Sequence, residues 1–164
     1  MIRFIQDDIL KSDADIICQQ VNCFGVMGAG LAKQIRAQYP EVYTSYRSVF
    51  NSYPDKSLLG KVNFVYTSGP IIANLFGQYA YGRTQLHTDY KALYAALYTV
   101  AKKCNKPGIR VAIPYGIGCG LAGGDWNIVQ RAINKAFENF EGTVEIYKLK
   151  ITNVLASGEG VENV

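Results

Sequence analysis

Twice in this chain a short apolar run empties into a glycine-rich stretch and then into a helical pattern. The first instance is "ADIICQQVN" (Ala14 to Asn22) followed by "CFGVMGAGLAKQIRAQY"; the second is "IRVAIP" (Ile109 to Pro114) followed by "YGIGCGLAGGDW" and a further helical stretch. Apolar runs of that length suit strands buried on both faces. A loop that carries the chain from such a strand directly into a helix is the connection parallel sheets require. The repeated unit therefore constrains the chain to an α/β fold.

The remaining segments agree. "IRFIQ" near the start reads as another short strand, and Ala29, Leu31, Ala32 and Ile35 recur at helical spacing until Pro40. A second short helix is expected from Glu41, with Val42, Tyr46, Val49 and Phe50 on one face. "KVNFVYT" and "IIANLFGQ" read as two strands joined through "SGP". Tyr90, Leu93, Tyr94, Leu97, Val100, Ala101 and Cys104 form a broad stripe, predicting a long amphipathic helix over Thr88 to Cys104. Asp125 is positioned as an N-cap for a helix whose Trp126, Val129, Ile133, Ala136, Phe137 and Phe140 face inward, and "TVEIYKLK" closes the pattern as the last strand. The expected fold is a three-layer α/β/α sandwich with a mostly parallel mixed sheet, in which ligands gather at the carboxyl ends of the strands.

With 164 residues, 49% of them hydrophobic, the chain supports one well-buried core. We expect a single domain over residues 1–150 and a loose tail over 151–164. "MIRFIQDDIL" carries two acids where a signal peptide needs an apolar run, and no stretch has membrane-spanning length without charges. A cytoplasmic protein is expected, with no membrane partner. Cys18, Cys23, Cys104 and Cys119 are scattered and only His87 is available to join them, so neither a zinc site nor a disulfide framework is expected. A net charge of +4 favours anionic ligands, but Lys and Arg are dispersed along the sequence, so sequence-specific nucleic-acid binding is not expected.

Gly118, Gly120 and Gly123 fall at the G-x-G-x-x-G spacing of a dinucleotide site. The context is wrong for that reading: the final strand follows, its only acid, Glu145, sits mid-strand, and the chain ends soon after. No Gly-Lys-Ser/Thr closes either glycine segment, which excludes a Walker A loop. Each loop can still hold an anion, because glycine permits close backbone approach and a helix N-terminus directs free N–H groups outward. Neither Asn22 to Leu31 nor Pro114 to Gly124 contains Lys or Arg, so a phosphate there is held by backbone N–H groups and helix dipole. Tight turns without a ligand are the alternative.

"DDIL" after the first strand, "QQVNCFGVMGAGLA" and "IPYGIGCGLAGGDW", in that order, resemble the three ligand-binding segments of macrodomains, the ADP-ribose-binding fold. The branch most similar contains ADP-ribose-1″-phosphate phosphatases and terminal ADP-ribose glycohydrolases. The resemblance implies that Asp8 accepts from the adenine amino group, with Ile9 contributing backbone beside it. It implies that Asn22 and the loop Val26, Met27, Gly28, Ala29, Gly30 and Leu31 surround the distal ribose and its phosphate. Gly116, Ile117, Gly118, Cys119, Gly120 and Leu121 match the pyrophosphate loop. No metal or cofactor is implied.

In the glycohydrolases of that branch a lysine after the middle strand attacks the distal ribose and an acid directly after "GCGL" assists. Gln78 stands near the lysine position and Ala122 at the acid position, and neither side chain can do that chemistry. The expected activity is therefore binding of ADP-ribose with hydrolysis of ADP-ribose-1″-phosphate to ADP-ribose and phosphate, Asn22 being the one catalytic candidate. The alternatives are a non-catalytic binding module and a glycohydrolase acting on an ADP-ribosylated protein or DNA. Tyr79, Tyr81 and Arg83 in "FGQYAYGR" are candidates for the ligand's rim. Structural roles compete for Asp8 (a turn), Asn22 (a strand end), Asp125 (a cap), His87 (a solvated helix start) and Cys119 (space filling).

Overall fold

The computed structural model describes residues 1–150; the expected loose tail lies outside the described residues. Six strands form one sheet: β1 (Ile2–Gln6), β2 (Ile16–Val21), β3 (Val62–Val65), β4 (Ile71–Phe76), β5 (Arg110–Pro114) and β6 (Thr143–Lys148). Their order is β1-β6-β5-β2-β4-β3, and every neighbouring pair is parallel except β3 with β4. Four helices cover the sheet: α1 (Gly30–Gln38), α2 (Pro40–Ser48), α3 (Tyr90–Lys103) and α4 (Trp126–Ala136). This is the mostly parallel mixed sheet between helical layers.

The continuous apolar runs resolve into two faces because strand side chains alternate. Ile16, Cys18, Ala73, Leu75, Val111, Ile113, Val144 and Ile146 pack with Leu93, Leu97, Val100, Val129 and Ile133 of α3 and α4. Ile17, Val21, Ile72, Phe76, Ala112 and Tyr147 point the other way, onto Ile35, Val42 and Tyr46 of α1 and α2. A fully buried Leu or Ile contributes roughly 1.5–3 kcal/mol, so these two clusters dominate the stability of the fold. No helix among the described residues is long and apolar enough to cross a membrane.

Two boundaries differ from the pattern in the sequence. Pro40 does more than end α1: it occupies the first turn of α2, where its missing N–H has no intrahelical partner to lose. α4 ends at Ala136, yet Phe137 and Phe140 are still buried, because the turns beyond the helix fold back against the same cluster. Apolar spacing alone cannot separate a helical turn from a following tight turn.

The topology positions the site. β2 leads into α1 on one face, while its neighbour β5 leads into α4 on the other. Loops leaving adjacent strands in opposite directions open a crevice at their carboxyl ends, the preferred ligand position in open α/β sheets.

Candidate functional site

A cavity of about 630 Å³ occupies that crevice, within the range of small-molecule sites. Asn22 and Val26 through Leu31 form one wall; Gly116, Ile117, Gly118, Gly120 and Leu121 form the other. The two glycine segments, some ninety residues apart in the sequence, thus meet on one cavity.

Each wall presents unspent peptide donors. Ala29 is the N-cap of α1 and supplies no side-chain hydrogen bond. The N–H groups of Gly28 through Ala32 have no acceptor among the described residues. On the opposite wall, Ile117 N–H donates to Pro114 O and Cys119 N–H to Gly116 O, whereas the N–H groups of Gly116, Gly118, Gly120, Leu121 and Ala122 have no acceptor among the described residues. Gly116 and Gly118 take φ of 77° and 73°, the left-handed backbone that recurs in anion-binding nests. An unmet N–H beside a cavity gains most from a charged acceptor, roughly 1.5–3 kcal/mol per hydrogen bond.

The second loop rests on a polar cluster of side chains. Thr88 Oγ1 donates to Gly118 O, and Gln20 Nε2 donates to Thr88 Oγ1 (3.0 Å) and to Gln78 Oε1 (2.9 Å). Gln78 Nε2 in turn donates to Ala80 O at 2.7 Å. Gly118 is required twice over: its φ is positive, and a Cβ there would sit 2.9 Å from Gln20 Oε1. Gln19 and Gln20 both line the cavity; in the sequence they fall in the strand run "ADIICQQVN" and open the segment "QQVNCFGVMGAGLA". Two consecutive glutamines at the carboxyl end of a buried strand were the available signal, since buried amides require partners.

Asn22 lies at the end of β2 and its amide is already committed. Oδ1 accepts from the N–H groups of Phe24 (3.0 Å) and Val26 (3.3 Å), and Nδ2 donates to Val26 O at 2.7 Å. The buried Tyr46 hydroxyl donates to Asn22 O at 2.6 Å and lies 3.0 Å from Asn22 Oδ1. Asn22 therefore shapes the first loop from within.

Asp8, Ile9 and Cys119 are not among the residues lining the cavity. Asp8 Oδ1 accepts from Leu10 N–H at 2.9 Å, capping a 3-10 turn over Ile9–Lys11, and Ile9 is buried beneath it. Burial pushes the Cys119 thiol up to about 11, with Asp125 adding to the shift. Asp125 caps α4 through Asn127 N–H at 2.8 Å. Neither His87 nor Tyr79 lines the cavity, whereas Tyr81 and Arg83 do. The cavity lining includes no Lys, Asp, Glu or His among the described residues, and Arg83 is its one formal charge there. Among the described residues no three His, Cys, Asp or Glu side chains gather to hold a metal ion.

No family model matches the chain. It is 31% identical over 142 residues to the DNA ADP-ribosyl glycohydrolase of Mycobacterium tuberculosis, an alignment covering 84% of this chain and 39% of that protein. The chain thus spans about two fifths of the length of this curated relative. Among solved structures, the macrodomain of Mycobacterium tuberculosis DarG superposes with a TM-score of 0.72 at 29% identity, covering 90% of this chain and 97% of that one. Thermosipho africanus DarTG in complex with ADP-ribose superposes with a TM-score of 0.74 at 23% identity, over 95% of this chain and 44% of that chain. At that identity the likeness shows the fold alone. In its sheet order, in the two glycine loops that meet on one cavity and in its similarity to the DarG macrodomain, the chain belongs to the macrodomain family.

Proposed function

We propose that the cavity binds ADP-ribose and that the chain hydrolyses an ADP-ribosyl linkage at the distal ribose. One observation carries the reading: among the described residues, two loops with unbonded peptide N–H groups line one cavity whose lining holds no lysine or carboxylate. A diphosphate spanning two sugars matches that pattern. Its charge is met by neutral dipoles fixed in the backbone, and its sugars lie along the apolar surface of Val26, Leu31 and Leu121. The similarity to a glycohydrolase supports the reaction class.

The residues present restrict how hydrolysis proceeds. A water oxygen bonds to C1″ as the bond from C1″ to the acceptor breaks, and the leaving group takes up a proton. Gln78 lines the cavity with its amide clamped between Gln20 and Ala80 O, so it orients a water or hydroxyl and transfers no proton. The loop donors Gly116, Gly118 and Gly120 hold the pyrophosphate in register while this occurs. A turnover slower than that of a lysine-bearing enzyme follows from the missing acid and base.

Arg83 favours a second reading. It lines the cavity, is exposed and has no hydrogen bond among the described residues, so its fork is free for a terminal phosphate, as in ADP-ribose-1″-phosphate. Turnover assays on DNA-linked ADP-ribose, protein-linked ADP-ribose and ADP-ribose-1″-phosphate separate the two. Release of ADP-ribose from a linked substrate supports the first reading, and release of phosphate alone supports the second. Binding of ADP-ribose without either product leaves a binding module, and absence of binding overturns all three.

A further inference from the structure

Three amides stand side by side across three neighbouring strands. Gln19 of β2 is opposite Asn74 of β4 in the parallel register, and Asn74 is opposite Asn63 of β3 in the antiparallel one. Ile17 and Val21 flank Gln19 on its face of the sheet, as Ile72 and Phe76 flank Asn74, and all four belong to the cluster under α1 and α2. The amides therefore cross an otherwise apolar layer. Gln19 Nε2 donates to Asn74 Oδ1 at 2.8 Å, Asn74 Nδ2 to Asn63 Oδ1 at 3.0 Å, and Asn63 Nδ2 to Ser45 Oγ of α2 at 3.2 Å. Gln19 is 2% exposed and Asn74 fully buried, and amides so placed need their hydrogen bonds met.

The row is satisfied at α2 and open at the cavity. Each nitrogen gives to the next oxygen, which leaves the first oxygen over: Gln19 Oε1 is buried and has no hydrogen-bond partner among the described residues. Gln19 also lines the cavity, on the strand that runs into the first glycine loop. A ladder that served the sheet alone would gain nothing from a buried, unmet acceptor beside a cavity of ligand size. Gln20 Oε1 is unmet as well, but alternation puts it on the other face of the sheet, where it packs against Gly77 and Gly118 beneath the second loop.

We propose that Gln19 is a specificity-determining residue whose Oε1 accepts a hydrogen bond from a ring hydroxyl of the distal ribose. The inference rests on the reading of the cavity as an ADP-ribosyl site. An amide oxygen takes only a donor; phosphate oxygens at neutral pH offer none, and sugar hydroxyls do. The unbonded N–H groups of Gly28 through Ala32 bring a phosphate to the same wall, and the sugar attached to that phosphate meets Gln19. The C2″ and C3″ hydroxyls are present whether C1″ carries a free hydroxyl or a linked acceptor, so one contact serves ligand and substrate alike. Asn74, held in turn by Asn63, fixes the Gln19 amide in advance, and little side-chain freedom is lost when the hydroxyl arrives.

The test is a cycle of calorimetric titrations: the wild-type chain and Gln19→Met, each with ADP-ribose, with its 2″-deoxy and 3″-deoxy analogues, and with ADP, which lacks the distal sugar. Methionine keeps the length of the side chain and removes the acceptor. Wild type is expected to bind one of the two analogues at least about tenfold more weakly than ADP-ribose, because the missing hydroxyl leaves a buried acceptor unpaired. In Gln19→Met that preference collapses to about twofold or less, the signature of two groups that interact directly. ADP binds both proteins alike. Gln19→Asn keeps an amide for the row, withdraws it by one methylene and gives the same collapse, which covers a Gln19→Met chain that fails to fold. Wild type binding both analogues as tightly as ADP-ribose, a preference undiminished in the variants, or an equal loss of ADP and ADP-ribose in the variants overturns the assignment of Gln19. Normal ADP-ribose binding by wild type beside any of those results overturns that assignment alone. Absence of ADP-ribose binding by wild type overturns the cavity reading and the assignment with it.

Discussion

Alanine at three glycines of the second loop tests the backbone cradle by magnitude. Gly120 has no atom within 4 Å of an added Cβ and no positive φ, so Gly120→Ala is expected to change stability by less than about 0.5 kcal/mol. Gly116 has open space too, but its φ of 77° places an L side chain in the left-handed region, costing roughly 1–2 kcal/mol. Gly118 carries the same strain at φ 73° and adds a clash, with Cβ 2.9 Å from Gln20 Oε1 and 3.0 Å from Thr88 Oγ1. Overpacking of that kind costs about 1–3 kcal/mol more, bringing Gly118→Ala to roughly 2–5 kcal/mol. For a domain of this size each kcal/mol lowers Tm by about 2–4 °C. Thermal melts should rank the variants Gly120, Gly116, Gly118 in order of increasing loss, and Gly118→Ala should bind ADP-ribose at least about tenfold more weakly, the equivalent of one donor lost. A Gly118→Ala protein that melts with wild type, or a Gly120→Ala protein that melts lowest, refutes the reasoning.

Other perturbations follow from the same contacts. Asp8→Asn keeps an acceptor for Leu10 N–H and should leave Tm nearly unchanged, while Asp8→Ala loses the cap and about 1 kcal/mol; a weaker affinity for ADP-ribose in both, set against AMP and ribose 5-phosphate as probes, assigns the carboxylate to adenine. Arg110→Ala strands the fully buried Glu145 with Arg3 alone, and urea unfolding should show a loss of about 3 kcal/mol. Arg110 also holds the exposed Asp13 carboxyl below its ordinary value. A lowered folded-state pKa gives stability that is present at neutral pH and lost as pH falls below about 4, and Arg110→Ala should flatten that acid limb in pH-dependent melts. Burial pushes the Cys23 and Cys119 thiols up to about 11, so iodoacetamide at pH 8 should label them only after unfolding, and stability should fall as pH rises above about 9, where unfolded thiols ionise.

The parallel sheet was legible because strand, glycine loop and helix recur in a single order, and the same recurrence made the two glycine loops at the carboxyl ends of β2 and β5 legible. What the sequence concealed is three-dimensional. The contact of the Tyr46 hydroxyl with Asn22 depends on α2 packing back toward the end of β2, which no local pattern states. Gln20 reads as a strand residue until β4 and the second loop close around it. Arg36 and Arg47 lie on different helices and meet through Tyr43, a contact that no stretch of sequence states. Asp125 was the easier case: an acid immediately before a helical stripe is a local signal, and it caps α4.

The central claim is that backbone donors on both walls grip an ADP-ribosyl group. Calorimetric titration of the wild-type chain with ADP-ribose and, separately, with AMP tests it most directly. One site per chain is predicted, with ADP-ribose bound at least about a hundredfold more tightly than AMP, since the second phosphate and distal ribose add two or more charge-assisted hydrogen bonds. Equal affinities, or no heat from ADP-ribose at millimolar concentration, would contradict the account.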